Sequence, residues 1–304
     1  MSTQEEVNSV SVFVKIVVSW KKDNQAPVAF RGQKYHAWKS IPKIFRPDIG
    51  MLNYERESVR DIVAVHPQEF SEDHSMFDRL VRMQHFDLPT RLLDVTLNPL
   101  VALYFASQEH RLRNKKTNLV SEKDGKVFAF FVPSSRMAYY DSDKVSCISA
   151  LANLTPQEKE EVLDNLDLSI GDFNKIPALL KMHHYIGMEK PHFKAIVDPD
   201  HFKRAYYVIP KMSNKRIIAQ SGAFIIHPQP PRLVKPSPTT ISMKTIIIPA
   251  GKKEKIRKEL ELLGVHGATL FPEIDKAANF IVSKYKSRSA ADRLSDIYGR
   301  KLLD

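Results

Sequence analysis

Three observations predict an α+β fold. Short stretches of strand character are scattered along the chain, helical stretches are grouped between them, and no internal repeat or regular strand–helix alternation runs through its 304 residues. A hydrophobic content of 43% is enough for one large domain or for a domain carrying an insertion.

The elements follow in order. Val10 to Trp20 reads as a strand or a short amphipathic segment, and Val28 to Phe30 as a short strand ending at Arg31-Gly32. Apolar residues recur at helical spacing between Tyr54 and Val65 and again between Ser75 and His85. Asn98 precedes Pro99 and the apolar run Leu100 to Ala106, so a helix begins near Asn98 with a good capping residue and a proline in its first position. The polar stretch His110 to Asp124 reads as a surface loop, and Gly125 leads into a strand, Lys126 to Val132. The middle third is helical: Thr155 and Glu158 have capping-box spacing ahead of Val162, and Ile176 to Tyr185 continues the pattern. Strand character returns at Ala223 to His227, a proline-rich crossing runs from Pro228 to Pro238, and Thr245 to Ile248 is a strand. A charged helix, Lys252 to Leu263, is closed by Gly264; Phe271 to Asp275 opens another helix, and the tail from Ser287 to Asp304 is polar.

Composition narrows the partners. The chain carries 46 basic and 35 acidic residues, a formal charge of +11, which favours acidic partners and nucleic acid most simply. The excess is uneven: Asn174 to Arg216 holds nine basic and three acidic residues, interleaved with His183, His184, Tyr185, His192, Phe193, His201, Phe202, Tyr206 and Tyr207. That mixture has two readings, a surface for phosphates and stacked bases or a solvated basic face over a core that uses the rings. No apolar run is long enough to span a membrane, Met1 to Asn8 lacks the features of a signal peptide, and the expected compartment is the cytoplasm. The single cysteine, Cys147, precludes an internal disulfide and a cysteine-based zinc site. A metal-dependent nuclease built on His183, His184, His192 and His201 lacks an accompanying acidic cluster, and no metal is expected.

The most informative stretch runs from Gln84 to Pro99, which packs an imidazole, a guanidinium, carboxylates and two hydroxyls into a short connection. The free N–H groups of the helix starting at Asn98 lie near Arg91, Asp94 and Thr96, a setting suited to a phosphate. The opposing reading is that Arg91 and Asp94 pair and brace the turn; both stay open at this level.

Two separated motifs resemble those of the FRG domain: Phe30-Arg31-Gly32-Gln33 with Trp38, Ile41-Pro42 and Phe45-Arg46, and Gln84-His85 through Ala106. Looser similarity continues through Arg216 to Phe224 and Gly264 to Asp275, and Val95 stands where the family usually carries tryptophan. The resemblance divides the chain into a lead-in (1–29), an FRG domain (30–281) with a basic helical insertion at about 150–215, and a tail (282–304). The motif order is similar to that of arginine-type ADP-ribosyltransferases, which implies a split β core ringed by helices and an NAD site.

On that resemblance Arg31 would grip the pyrophosphate of NAD, with Gly32 admitting the ligand and Gln33 beside it. Thr90 and Thr96 compete for the hydroxyl role, His85 would contact nicotinamide or ribose, and Asp94 would pair Arg31 or Arg91. Gln220 matches the place where a catalytic glutamate is expected, and a glutamine there can bind ribose hydroxyls but cannot serve as a base. The expected catalytic set is therefore Arg31, Thr90, Asp94 and Gln220, and the expected binding set Arg31, Gly32, Gln33, His85, Arg91 and Thr96. The implied function is an NAD-dependent ADP-ribosyltransferase toxin acting on nucleic acid, RNA before DNA, in antiphage defence or a toxin–antitoxin pair with an acidic antitoxin. The alternative is a non-catalytic nucleotide- or nucleic-acid-binding sensor.

Overall fold

A computed structural model describes residues 6–20, 27–113, 118–212, 214–231 and 239–273. Its strands are β1 (Ala29–Gln33), β2 (Leu92–Thr96), β3 (Arg111–Arg113), β4 (Val120–Glu122), β5 (Gly125–Phe131), β6 (Met137–Tyr139), β7 (Tyr206–Ile209), β8 (Gly222–Ile226) and β9 (Ser242–Ile248). Its helices are α1 (Val10–Ser19), α2 (Glu55–Val65), α3 (Met76–His85), α4 (Pro99–Ser107), α5 (Asp143–Ala150), α6 (Pro156–Asp164), α7 (Ile170–Phe173), α8 (Pro177–Glu189), α9 (Lys215–Ala219), α10 (Lys253–Leu262) and α11 (Gly267–Leu270). Seven strands form one sheet in the order β6-β7-β8-β2-β1-β5-β9, parallel only between β6 and β7. The fold is α+β, as the sequence predicts.

Alternation along the strands sorts the side chains onto two faces. Ala29, Leu93, Val95, Phe128, Phe130 and Ile225 form an apolar layer without a helical residue. The other face carries two separate helical layers. Over β2, β7 and β8, residues Leu92, Val208, Phe224 and Ile226 pack with Met76, Phe77 and Leu80 of α3 and with Val145, Ile148, Leu179 and Met182 of the middle third. Over β1, β5 and β9, residues Phe30, Val127, Ala129 and Ile246 pack with Phe13 of α1, Ala102 and Ala106 of α4, and Leu260 of α10.

The two layers meet over a weak seam. A single ladder position, Phe30 opposite Thr96, joins β1 to β2, whereas five positions join β2 to β8. Beyond that position the central strands part, and the functional cleft lies there.

Several sequence expectations resolve physically. Val10 to Trp20 is a helix: Ser9 caps it by accepting from the Val12 amide at 3.3 Å, and Val10 and Phe13 face the core, so packing overrides the strand preference of its valines. The expected surface loop His110 to Asp124 contains the β3–β4 pair. The basic middle third is no appendage. Its helices begin at Asp143, share one core with α3, and are followed by β7, which lies within the large sheet. The aromatic residues of that stretch decide between its two readings: Phe202, Tyr206 and Tyr207 are buried, and Tyr185 and Phe193 pack against the core, so they are not a base-stacking surface. His183 bonds Asn174 at 2.9 Å. Phe271 to Glu273, where a helix was expected to open, are not helical; Ile274 and Asp275, residues 232–238 of the proline-rich crossing and the whole 282–304 tail lie outside the described residues. Among the described residues no helix is long and apolar enough to cross a membrane.

Candidate functional site

The site is a cleft of about 220 Å³ over the β1–β2 seam, walled by α3, α4 and α9. It opens into a broader groove of about 1570 Å³, and the two share Arg31, Gln84, His85, Asp87, Phe105 and Arg216. Its position follows from the fold, because helices packed on one face of the sheet, to either side of the parted seam, leave a hollow between them.

Arg31 occupies the parting. Its Nη1 donates to the Asp94 carbonyl at 2.6 Å and lies 3.7 Å from Asp94 Oδ2, while its Nε is buried without a partner. Burial lowers the guanidinium pKa against the pull of Asp94, and Arg46 adds to the lowering. The Asp94 carboxylate is also held by Gln84, whose Nε2 donates to Oδ2 at 2.7 Å. Arg31, Asp94 and Gln84 are thus one polar unit drawn from β1, β2 and α3.

The neighbouring glycine has a different task. A Cβ on Gly32 would lie 1.8 Å from the Ala102 carbonyl oxygen, and one on Gly125 1.9 Å from that of Ala106. Gly32 therefore admits the α4 backbone while also lining the cleft and the groove, and Ala102 and Ala106 keep that approach close.

Two residues of the central motif lie outside the cleft. Thr90 is buried; its hydroxyl donates to Gln84 Oε1 at 2.7 Å and accepts from the Leu92 amide at 3.1 Å, which leaves it no catalytic freedom. Arg91 is equally buried and points away from Asp94. Its Nε and Nη2 donate to the two carboxylate oxygens of Glu55 at 2.9 and 2.5 Å, Nη1 donates to the His227 and Pro228 carbonyls, and Lys159 Nζ lies 2.8 Å from the same carboxylate. Burial would raise the Glu55 pKa, yet Arg91 and Lys159 outweigh it and hold the carboxyl below the usual range. Arg91 neither pairs with Asp94 nor lines the cleft, because Glu55 and two backbone carbonyls take up its guanidinium.

Thr96 and Gln220 line the cleft but are occupied with each other's surroundings. The Thr96 hydroxyl donates to the Gln220 carbonyl at 2.6 Å and accepts from the Asn98 amide at 3.0 Å. Gln220 is not on a strand. It caps the C-terminus of α9, two residues before β8, and its Nε2 donates to the Leu270 carbonyl at 3.0 Å. Gln33 is buried, with Nε2 donating to the Lys39 carbonyl at 3.3 Å and Oε1 unpartnered.

His85 belongs to a chain that the motif alone does not show. Asn214 Oδ1 accepts from the Arg216 amide at 2.7 Å, so its Nδ2 faces His85 Nδ1 at 2.6 Å. On the other side of the ring, Nε2 lies 2.9 Å from Glu273 Oε1. Burial lowers the His85 pKa, helped by Arg216 and opposed by Glu273, so the ring is neutral at neutral pH. The Arg216 guanidinium lies 5.1 Å over the Phe271 ring, donates to the His85 carbonyl, and has no carboxylate within ion-pair distance among the described residues. Asn214, Arg216 and Glu273 were not picked out from sequence, although Arg216 opens the third motif and Glu273 sits in the fourth.

Residues 26–115 match the family model of the FRG domain. The matched segment supplies Arg31, Gln84, His85, Asp94 and Thr96 to the site. The match is shorter than the 30–281 span inferred from motifs, and the wall holding Asn214, Arg216, Gln220 and Glu273 lies beyond it. No curated protein and no solved structure matches the chain. Among the described residues no cluster of three His, Cys, Asp or Glu side chains could hold a metal ion.

Proposed function

We propose that the cleft binds NAD and transfers its ADP-ribosyl group to nucleic acid, RNA in the first place. The observation that carries this reading is the pair of guanidiniums on one cleft: Arg31, with a buried and unpartnered Nε, and Arg216, stacked on Phe271 and free of any carboxylate among the described residues. Two planar forks with spare donors suit the two phosphates of a dinucleotide. The apolar wall of Val101 and Phe105 offers a surface for a flat base, and the adjoining groove gives the rest of a dinucleotide room.

The chemistry needs little more than positioning and charge. The bond between the ribose anomeric carbon and the nicotinamide nitrogen breaks with its electron pair leaving on nicotinamide. A lone pair of the acceptor then forms the new bond to that carbon, and the acceptor's proton passes to water. Positive charge develops on the sugar between these events, and a nearby carboxylate stabilises it. Nucleic acid as acceptor is supported by the formal charge of +11 and by Lys34 and Arg46 along the groove, whose rim carries the exposed rings of Trp38 and Phe86. A toxin of this kind, restrained by an acidic partner, is the biological setting we infer, and growth arrest on expression in a host cell tests it.

Incubating the protein with adenylate-labelled NAD and RNA, DNA or total cell protein tests the activity. Label on RNA with release of nicotinamide is expected; NAD left intact in all three mixtures overturns the enzyme reading. Gln220, a helix cap where a carboxylate was expected, favours the second reading, a nucleotide sensor. A sensor would bind ADP-ribose through Arg31 without consuming NAD.

A further inference from the structure

The carboxylate missing from the late strand has a counterpart at the cleft mouth. Glu273 lines the groove beside Arg31, Gln84, His85 and Arg216, and both its oxygens are shielded from solvent without a hydrogen bond of good angle. Its near neighbour is the neutral His85 ring, 2.9 Å away. Asp94, by contrast, faces Arg31 and is bonded by Gln84, so its charge is already answered.

The ring beside Glu273 has its hydrogen placed by a third residue. Asn214 is fixed because its Oδ1 caps α9 at the Arg216 amide, which obliges Nδ2 to donate to His85 Nδ1. An imidazole that accepts at Nδ1 carries its hydrogen on Nε2, the atom facing Glu273. The ring therefore has no free lone pair for base work, and its Nε2–H lies beside the carboxylate, 2.9 Å from Oε1, without completing a hydrogen bond to it.

We propose that Asn214, His85 and Glu273 form a relay in which Glu273 is the catalytic carboxylate facing the anomeric carbon and His85 and Asn214 are positioning residues. The proposal rests on the glycosyl-transfer reading above for the role of Glu273, while the relay stands on its own geometry. It assigns the stabilisation of the developing sugar cation to Glu273, not to Gln220, and no bond to Glu273 forms or breaks.

The relay also implies an acid limit. Protonation of His85 would add a hydrogen at Nδ1 and set donor against donor at Asn214 Nδ2. The charged groups acting on His85 are Arg216 from α9, Arg82 from its own helix and Glu273; burial and the arginines outweigh the glutamate and keep the ring neutral. Turnover falls as pH drops through the folded pKa of His85, below its ordinary value of 6.5.

The test uses the whole chain and two kinds of readout. Nitrogen-15 NMR of the histidines, with His85→Gln to assign the signal, is expected to show a neutral Nε2–H ring that Asn214→Ala disturbs; an Nδ1–H ring overturns the relay whether or not NAD is consumed. Glu273→Gln is expected to bind ADP-ribose within about 3-fold of wild type while nicotinamide release falls about 100-fold. His85→Ala lowers kcat about 10-fold at unchanged KM and moves the acid limb, and His85→Gln, which keeps a donor, recovers most of the rate. Wild-type turnover in Glu273→Gln overturns the catalytic assignment alone. A wild-type protein that neither binds nor consumes NAD overturns that assignment together with the glycosyl-transfer reading, leaving the NMR result to judge the relay.

Discussion

Arg31 lies on β1 and Arg91 immediately precedes the neighbouring strand β2, and each contacts a carboxylate, yet their surroundings are opposite. Arg91 spends Nε, Nη1 and Nη2 on Glu55 and two carbonyls in a sealed cluster with Lys159. Arg31 makes one hydrogen bond, keeps an unpartnered Nε and looks into a cleft. A guanidinium with every direction answered is a brace, and one with directions left over is open to a further partner. The difference lies in what surrounds each residue, not in residue type.

The largest effect should come from breaking the brace. Arg91→Ala leaves Glu55 buried with only Lys159 and should destabilise the fold by roughly 3–5 kcal/mol in urea denaturation, since removing one member of a buried ion pair strands the other. A loss below about 1 kcal/mol would show that the cluster is not a brace. Next comes Gly32→Ala, whose methyl would collide with the Ala102 carbonyl; separation of α4 from β1 should cost about 2 kcal/mol, read from the thermal midpoint.

Thr90→Val removes a hydroxyl that joins Gln84 to the β2 backbone and should cost about 1 kcal/mol, with a further loss of ADP-ribose affinity because Gln84 orients Asp94. Smallest for stability is Arg31→Ala, expected within about 1 kcal/mol of wild type, but with ADP-ribose binding lost by calorimetry. Equal destabilisation by Arg31→Ala and Arg91→Ala would erase the contrast between the two sites.

Acid should sharpen it further. The Glu55 pKa is depressed in the folded state, so its contribution is fully present above the unfolded value of 4.5 and is lost as pH falls through the lower folded value. Stability of the Arg31→Ala protein should show this acid loss, whereas Arg91→Ala should show less of it.

Local chemistry made several elements legible. Asn98, Pro99 and the apolar run to Ala106 predict α4, and Asn98 Oδ1 does accept from the Leu100 amide at 2.9 Å. The Thr155–Glu158 capping box forms with both hydrogen bonds in place. The central motif also lies where the cleft forms, since Gln84, His85, Asp94 and Thr96 all line it.

Roles within the motif were not legible. Thr90 and Arg91 look as reactive as their neighbours, and only burial shows that they are structural. The packing role of Gly32, which also lines the cleft, was not legible because the helix that needs its space lies some seventy residues onward, at Ala102. Glu273 stayed hidden because a carboxylate was sought on a strand, whereas this one follows a short helix and reaches His85 from across the cleft.

By itself, then, the sequence determined the α+β class, the capped helices and the strand that carries Arg31, all set by interactions within a few residues of chain. The tertiary structure decided which guanidinium is sealed and which is open, which glycine packs against a helix, and which carboxylate lies beside His85. Those outcomes depend on partners 36 residues away for Glu55 and Arg91 and 129 for His85 and Asn214. A charged side chain is defined by what desolvates and answers it, and that is fixed only when distant segments pack together.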